Sequence, residues 1–99
     1  MPQKKSKREL VKMGSEMDPT VHVGKEGLTD GIVEELKAQI KRKKLVKVRV
    51  LPAADMDKDE VAEELAERSG AQVVETRGFT VLMCEKGMLE VKKKSEEKL

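Results

Sequence analysis

Several residue types are scarce in this chain of 99 residues, and their scarcity narrows the possible functions. The chain contains no Trp, no Tyr, one Phe, one His and one Cys. A single cysteine excludes an internal disulfide and argues against a cysteine-based metal cluster, which fits a reducing, cytoplasmic setting. The shortage of aromatic residues argues against a stacking platform for single-stranded nucleic acid. Any core must therefore be built from Val, Leu, Ile, Ala and Met.

Long hydrophobic runs are also missing from the sequence. The apolar stretches are far shorter than the roughly 20 residues of a membrane-spanning helix, and the N-terminus lacks the apolar block of a signal peptide. We therefore expect no membrane partner. Because a chain of this length accommodates one modest core, we predict a single domain over residues 1–86 and a charged, flexible C-terminal tail over residues 87–99.

Neither sign of charge dominates, since 21 Lys and Arg residues stand against 19 Asp and Glu residues and the net charge is +2. The charges are nevertheless segregated along the chain. Residues 1–12 carry five basic groups and one acid, residues 28–49 carry seven basic groups and three acids, and residues 55–67 carry seven acids and one Lys. The folded molecule should therefore have a basic side and an acidic side.

Hydrophobic periodicity predicts seven elements in the order α-β-α-β-α-β-β. The predicted helices lie at residues 6–17, 28–43 and 57–70, and the predicted strands at residues 20–23, 45–51, 71–76 and 79–84. We expect Pro19 to end the first helix. The three helices should cover one face of a four-stranded mixed sheet, which makes the fold class a two-layer α/β sandwich. A right-handed crossover over residues 45–76 should join parallel strands.

A short glycine motif, Gly24-Lys25-Glu26-Gly27, lies between the first predicted strand and the second helix. Two glycines allow close backbone approach to a ligand, and a following helix N-terminus offers unpaired N–H groups. Such a loop suits a phosphate backbone, as the Gly-x-x-Gly loop of KH domains does, and Lys25 would add a direct contact. A plain strand-to-helix turn explains the glycines equally well. The neighbouring His22 is either a ribose or phosphate ligand or a structural residue.

Basic residues gather near the end of the second predicted helix and on the strand after it. They are Lys37, Lys41, Arg42, Lys43, Lys44, Lys47 and Arg49. Lys37, Lys41 and Lys44 share one helix face, where a polyanion would relieve their mutual repulsion. The alternative is that these cations only oppose the helix dipole and keep the surface soluble. Combined with the glycine loop and the basic N-terminus, they predict a surface that binds nucleic acid.

Two segments of the chain resemble the CRM domain: VHVGKEGLTDGIVEELKAQIKRKKLVKVRV and AEELAERSGAQVVETRGFTVLM. This domain is shared by bacterial YhbY-type proteins and plant chloroplast splicing factors. The resemblance covers residues 6–84. It implies a fold similar to the C-terminal domain of translation initiation factor three, and a role in RNA binding. In bacteria it implies association with precursors of the large ribosomal subunit, and in plants group II intron splicing. It places the family's loop on Gly24, Lys25, Glu26 and Gly27 and its basic region on Lys43, Lys44, Lys47 and Arg49.

We therefore expect a monomeric, non-enzymatic protein that contacts ribosomal or precursor RNA through its phosphate backbone, in large ribosomal subunit assembly and on pre-ribosomal particles. No cofactor or metal is expected, and no recognisable catalytic constellation is present. Two alternatives stay open. The same phosphate-reading surface would suit DNA, and the acidic third helix would suit a protein-interaction module that binds a basic partner.

Overall fold

Residues 5–89 are described by a computed structural model, and within them three α-helices accompany one four-stranded sheet. The elements are α1 (Lys7–Ser15), β1 (Val21–Val23), α2 (Asp30–Lys43), β2 (Leu45–Val50), α3 (Lys58–Ser69), β3 (Gln72–Arg77) and β4 (Thr80–Cys84). This order confirms the predicted one. A short 3-10 helix, Pro52–Ala54, follows β2 and was not predicted.

The ends of α2 and α3 follow from local sequence signals. The Thr29 hydroxyl accepts a hydrogen bond from the Ile32 amide at 3.2 Å and so caps α2. The Glu60 side chain accepts from the Asp57 amide at 3.4 Å at the start of α3. Gly70 ends α3 with a φ of +79°, a conformation that glycine adopts without steric cost. These limits agree with the predicted ones to within two residues.

The first helix ends earlier than predicted. A capping box between Ser6 and Glu9 begins α1, and the helix stops at Ser15 with Glu16 as its C-cap. Pro19 is therefore not what ends it. The Gly14 and Met17 carbonyls at this end also accept hydrogen bonds from a side chain of the sheet, as described below.

The sheet has the strand order β1-β2-β4-β3. β1 pairs with β2 in parallel, and β4 is antiparallel to both of its neighbours. It follows that β2 and β3 run in the same direction with β4 between them. The unit β2-α3-β3 thus joins parallel strands, as predicted, although these strands are not adjacent.

One face of the sheet carries the larger core. Val46, Val48 and Val50 are almost completely buried there, together with Leu36 from α2 and Leu65 from α3. Full burial of an aliphatic side chain contributes about 1.5–3 kcal/mol. The alternation of valines along β2 therefore contributes to holding α2 and α3 against the sheet.

The opposite face of the sheet is partly covered by α1, so the prediction that all helices share one face is wrong for this helix. Leu10 is fully buried in a second cluster with Leu45, Leu82 and Cys84. Gly14 allows the close approach, because a Cβ added there would lie 2.7 Å from a Leu82 methyl carbon. The physical reason is that this half of the second face is apolar and needs a cover.

The chain after β4 returns to the second cluster. The Met88 side chain is 8% exposed. The Lys5 amide donates to the Met88 carbonyl at 2.8 Å, and the backbones of Lys5 and Leu89 form an isolated parallel β-bridge. The predicted domain limit at residue 86 is therefore too early, because an apolar side chain two residues later packs into the core. The rest of the predicted tail, residues 90–99, lies outside the described residues. No helix within residues 5–89 is long and apolar enough to cross a membrane.

Candidate nucleic-acid interface

The glycine motif forms a tight turn at the carboxyl end of β1. The Gly27 amide donates to the Gly24 carbonyl at 2.9 Å, and Gly27 has a φ of +72°, which favours glycine. Lys25 and Glu26 occupy the tip of the turn and are exposed to solvent. The motif therefore presents one cation and one anion on a short, hydrogen-bonded loop.

The start of α2 offers less to an anion than the sequence suggested. Thr29 already satisfies the Ile32 amide, and the exposed carboxylate of Asp30 lies in the first turn. The Arg68 guanidinium donates to the Leu28 carbonyl at 2.9 Å and to the Asp30 carboxylate at 2.7 Å. These contacts tie the end of the loop to α3. The loop itself, with Lys25 at its tip, remains the candidate phosphate contact.

Four polar side chains form a row across the second face of the sheet, beside the loop. Strand register pairs His22 with Arg49, Arg49 with Thr80, and Thr80 with Arg77. Directly paired residues project from the same face, and strands spaced about 4.8 Å apart give a row roughly 14 Å long. His22, Arg49 and Arg77 are exposed. The row, together with Lys25, is called the loop-end surface below.

The two arginines of this row are free of the ion pairs formed among the described residues. Those ion pairs join Lys37 to Glu34, Lys44 to Glu85, and Arg68 to Asp30. A guanidinium presents several donors in a planar fork that matches phosphate oxygens. The loop-end surface is therefore suited to bind anions that are spaced across the sheet.

Lys47 does not belong to this surface, although the sequence placed it among the RNA-binding residues. Its ammonium group donates to the Gly14 carbonyl at 3.2 Å and to the Met17 carbonyl at 3.4 Å. These are carbonyls at the end of α1, where a cation also opposes the helix dipole. Because α1 covers this part of the sheet, Lys47 has a structural partner and is only partly exposed.

The remaining predicted cations lie at the other end of α2, in a group called the helix-end cluster: Lys41, Arg42, Lys43 and Lys44, all exposed. Lys37 is exposed one turn earlier. A helix of 14 residues separates this cluster from the glycine loop by about 20 Å. The single basic track predicted from the sequence is therefore divided between two ends of the molecule.

Sequence reasoning missed three residues near the loop. By sequence alone, Arg77 is a spacer in the hairpin, Phe79 is the first residue of the last strand, and Arg68 carries no signal of its own. In the structure Arg77 ends β3 and Phe79 lies in the turn with 66% of its surface exposed. Only strand pairing brings Arg77 into the row with Arg49 and the Phe79 backbone to the end of β2, so no local signal would have identified them.

Comparison with known proteins shows the family of this chain. The CRS1 / YhbY (CRM) domain matches residues 3–83. The chain is 34% identical over 79 residues to "Probable RNA-binding protein YqeI" of Bacillus subtilis, covering 80% of this chain and 82% of that protein. It is 38% identical over 81 residues to "Probable RNA-binding protein MJ0652" of Methanocaldococcus jannaschii, covering 80% of this chain and 60% of that protein.

A solved structure supports the same relationship. The solution structure of the hypothetical protein SAV1595 from Staphylococcus aureus superposes with a TM-score of 0.69 at 28% identity, covering 97% of this chain and 96% of that one. The α/β fold with three helices and a mixed four-stranded sheet, predicted from the sequence, is thus found in a relative. With the family match over most of its length, this chain belongs to the CRS1/YhbY family of CRM domain proteins.

Proposed function

We propose that this protein binds structured RNA through its phosphate backbone and catalyses no reaction on it. The observation that carries the proposal is the row of His22, Arg49 and Arg77 beside Lys25, all exposed at one end of the sheet. The relatives named as probable RNA-binding proteins cover most of this chain and support RNA as the ligand.

The geometry favours contacts with phosphates over reading of base sequence. Arginine and lysine side chains on a rigid sheet and a short loop neutralise phosphates and fix the register of the nucleic acid. Each phosphate neutralised releases counterions, so the affinity should fall steeply as salt rises. The helix-end cluster, about 20 Å away, would add attraction over a longer range.

The RNA that we propose is ribosomal or precursor RNA, bound during assembly of the large ribosomal subunit. The resemblance to YhbY-type proteins supports this target. A rigid row about 14 Å long also fits a folded RNA, whose phosphates are held in place before binding.

The test is RNA binding as a function of salt, with a fragment of large-subunit ribosomal RNA and a DNA duplex of equal length. The variants are Lys25→Ala, the double variant Arg49→Ala with Arg77→Ala, and the quadruple alanine variant of the helix-end cluster. The matched control is Lys7→Ala with Arg8→Ala, which removes two exposed cations from α1.

We expect the double arginine variant to bind RNA more weakly than the α1 control does. Its salt slope should fall by roughly 0.7–0.9 for each phosphate that the variant no longer neutralises. RNA should also compete successfully against duplex DNA. Equal decreases in RNA affinity in the double variant and the control would show that only net charge matters. That result would contradict the assignment of the RNA site to Arg49 and Arg77. Folded wild-type protein that binds neither nucleic acid would overturn the function itself.

A further inference from the structure

Phe79 is the only aromatic residue of the chain, and it is the most exposed large hydrophobic side chain within residues 5–89. It lies in the β3–β4 turn, between Arg77 and Thr80 of the cationic row. Its carbonyl accepts a hydrogen bond from the Val50 amide at 2.7 Å, which holds its backbone against the end of β2. Because the Val50 side chain belongs to the core face, Phe79 lies at the end of the sheet where the core face meets the face that carries the row.

The ring also borders a shallow cleft that continues toward the glycine loop. The cleft is lined by Val50, Leu51, Pro52, Asp55, Met56, Asp57 and Phe79. Leu51 and Met56 connect it to the loop, because a Cβ added at Gly24 or Gly27 would lie 3.7 Å from Leu51 or Met56, respectively. The cleft and the glycine loop thus lie together at the end of the sheet whose second face carries the arginine row.

The charges around the cleft indicate what it would hold. Asp55 and Asp57 are exposed carboxylates on its wall and would repel a phosphate. An uncharged aromatic ligand is not repelled, and carboxylates accept hydrogen bonds from the amino groups of bases. Arg49 and Arg77, on the second face at the same end of the sheet, would attract the phosphates attached to such a ligand.

We infer that Phe79 stacks on one unpaired nucleobase of the bound RNA, while the neighbouring arginines and Lys25 hold the adjacent phosphates. This inference rests on the proposed function and adds a substrate class: RNA with an unpaired nucleotide in a bulge, loop or single-stranded end. Every base has a π-face, so stacking on a ring works without sequence specificity. A single ring accommodates one base, which agrees with the absence of an extended aromatic platform.

The chain has no Trp, so Phe79→Trp introduces a single tryptophan whose fluorescence reports directly on the cleft. The probes are an RNA hairpin with a one-nucleotide bulge and the same hairpin with the bulge removed. The matched control is Met13→Trp on α1, which is the other large hydrophobic side chain exposed within residues 5–89, at 41%. Affinities of Phe79→Ala and Phe79→Leu for both hairpins complete the set, with thermal unfolding to show that each variant folds.

We expect the bulged hairpin to quench Phe79→Trp strongly, the paired hairpin to quench it weakly, and neither to quench Met13→Trp. Phe79→Ala and Phe79→Leu should bind the bulged hairpin roughly 5- to 150-fold more weakly than wild type, because one stacked base no longer has its partner ring. Equal affinity of wild type and Phe79→Ala for the bulged hairpin would overturn the inference and leave phosphate binding intact. Failure of the wild type to bind either hairpin at low salt would overturn both proposals.

Discussion

Lys47 and Arg49 lie two positions apart on the same face of β2, and their surroundings are opposite. Lys47 is half-buried beneath α1 and donates to two carbonyls at the end of that helix. Arg49 is exposed and has His22 and Thr80 as its neighbours across the sheet. The first cation has a partner within the protein, and the second is available to a ligand.

The difference comes from where α1 ends. The helix covers the half of the face that carries Leu45, Leu82 and Cys84, and it leaves the row through Arg49 open. A basic residue in the covered half must satisfy its ammonium group locally, because an unpaired buried charge is costly. A basic residue in the open half keeps its charge in water and can exchange water for phosphate.

The largest effect is expected from removing the side chain that holds α1 on the sheet. Leu10→Ala should lower the free energy of unfolding by about 2–5 kcal/mol, because a fully buried leucine leaves a cavity when truncated. Urea denaturation measures this change. Met13→Ala, on the exposed side of the same helix, should change stability by no more than about 0.5 kcal/mol. Equal destabilisation of both variants would mean that α1 is not docked as described.

The next largest effect distinguishes Lys47 from Arg49, because one substitution should change stability and the other RNA binding. Lys47→Met should lower the free energy of unfolding by about 1–3 kcal/mol, since its charged hydrogen bonds to the Gly14 and Met17 carbonyls are lost. Its RNA affinity, measured where the protein is fully folded, should equal that of wild type. Arg49→Met should leave the free energy of unfolding within about 0.5 kcal/mol of wild type and should weaken RNA binding. Reduced RNA binding by folded Lys47→Met would break the division between the two halves of the face.

A smaller effect is expected at Lys44, another cation with a partner inside the protein. Lys44 ends α2 with a φ of +71° and pairs with Glu85 at 3.1 Å. Both Lys44→Gly and Lys44→Ala remove the ion pair, but only glycine relieves the left-handed backbone. The glycine variant should therefore be the more stable of the two by about 1 kcal/mol, as thermal or urea unfolding would show. Identical stabilities would mean that the backbone at this position is not left-handed in solution.

The smallest effect is on the pH dependence of stability, and it comes from Cys84 in the half of the sheet face that α1 covers. Burial beneath α1 raises the pKa of the Cys84 thiol, so the folded protein keeps it protonated where the unfolded chain ionises it. Above about pH 8.5 the unfolded state therefore binds fewer protons than the folded state, and stability should fall as pH rises. Urea denaturation between about pH 7.5 and 9.5 measures this slope. Cys84→Ala is the control, and an unchanged slope in that variant would exclude the thiol as its source.

Local sequence signals predicted most of the secondary structure. Thr29, Asp57 and Gly70 act within a few residues of their own position, so the limits of α2 and α3 were readable before any tertiary contact was known. The alternation of Val46, Val48 and Val50, which is visible in the sequence, likewise indicates which face of β2 is buried. The family resemblance, carried by the order and spacing of these elements, is confirmed by the CRM domain match.

The candidate site was only partly predictable, because its residues come together through strand pairing. The glycine loop and the cations of α2 were recognised as local motifs. Arg77 and Phe79 were not, since β4 must insert between β2 and β3 before Arg77 joins the row with Arg49 or Phe79 reaches the end of β2. The partner of Lys47 was unpredictable for the same reason, as nothing near it in sequence indicates that α1 lies above it.

The sequence by itself determined the elements, their order, the buried face of β2 and the presence of a glycine loop, since these depend on hydrophobic period and on capping between near neighbours. Only the tertiary structure decided that α1 packs on the second face, that Lys47 caps it, that His22, Arg49 and Arg77 line up across that face, and that Phe79 lies at the end of β2. These features depend on strand order and on the area that one short helix can cover. Both are properties of the assembled sheet and not of any single segment.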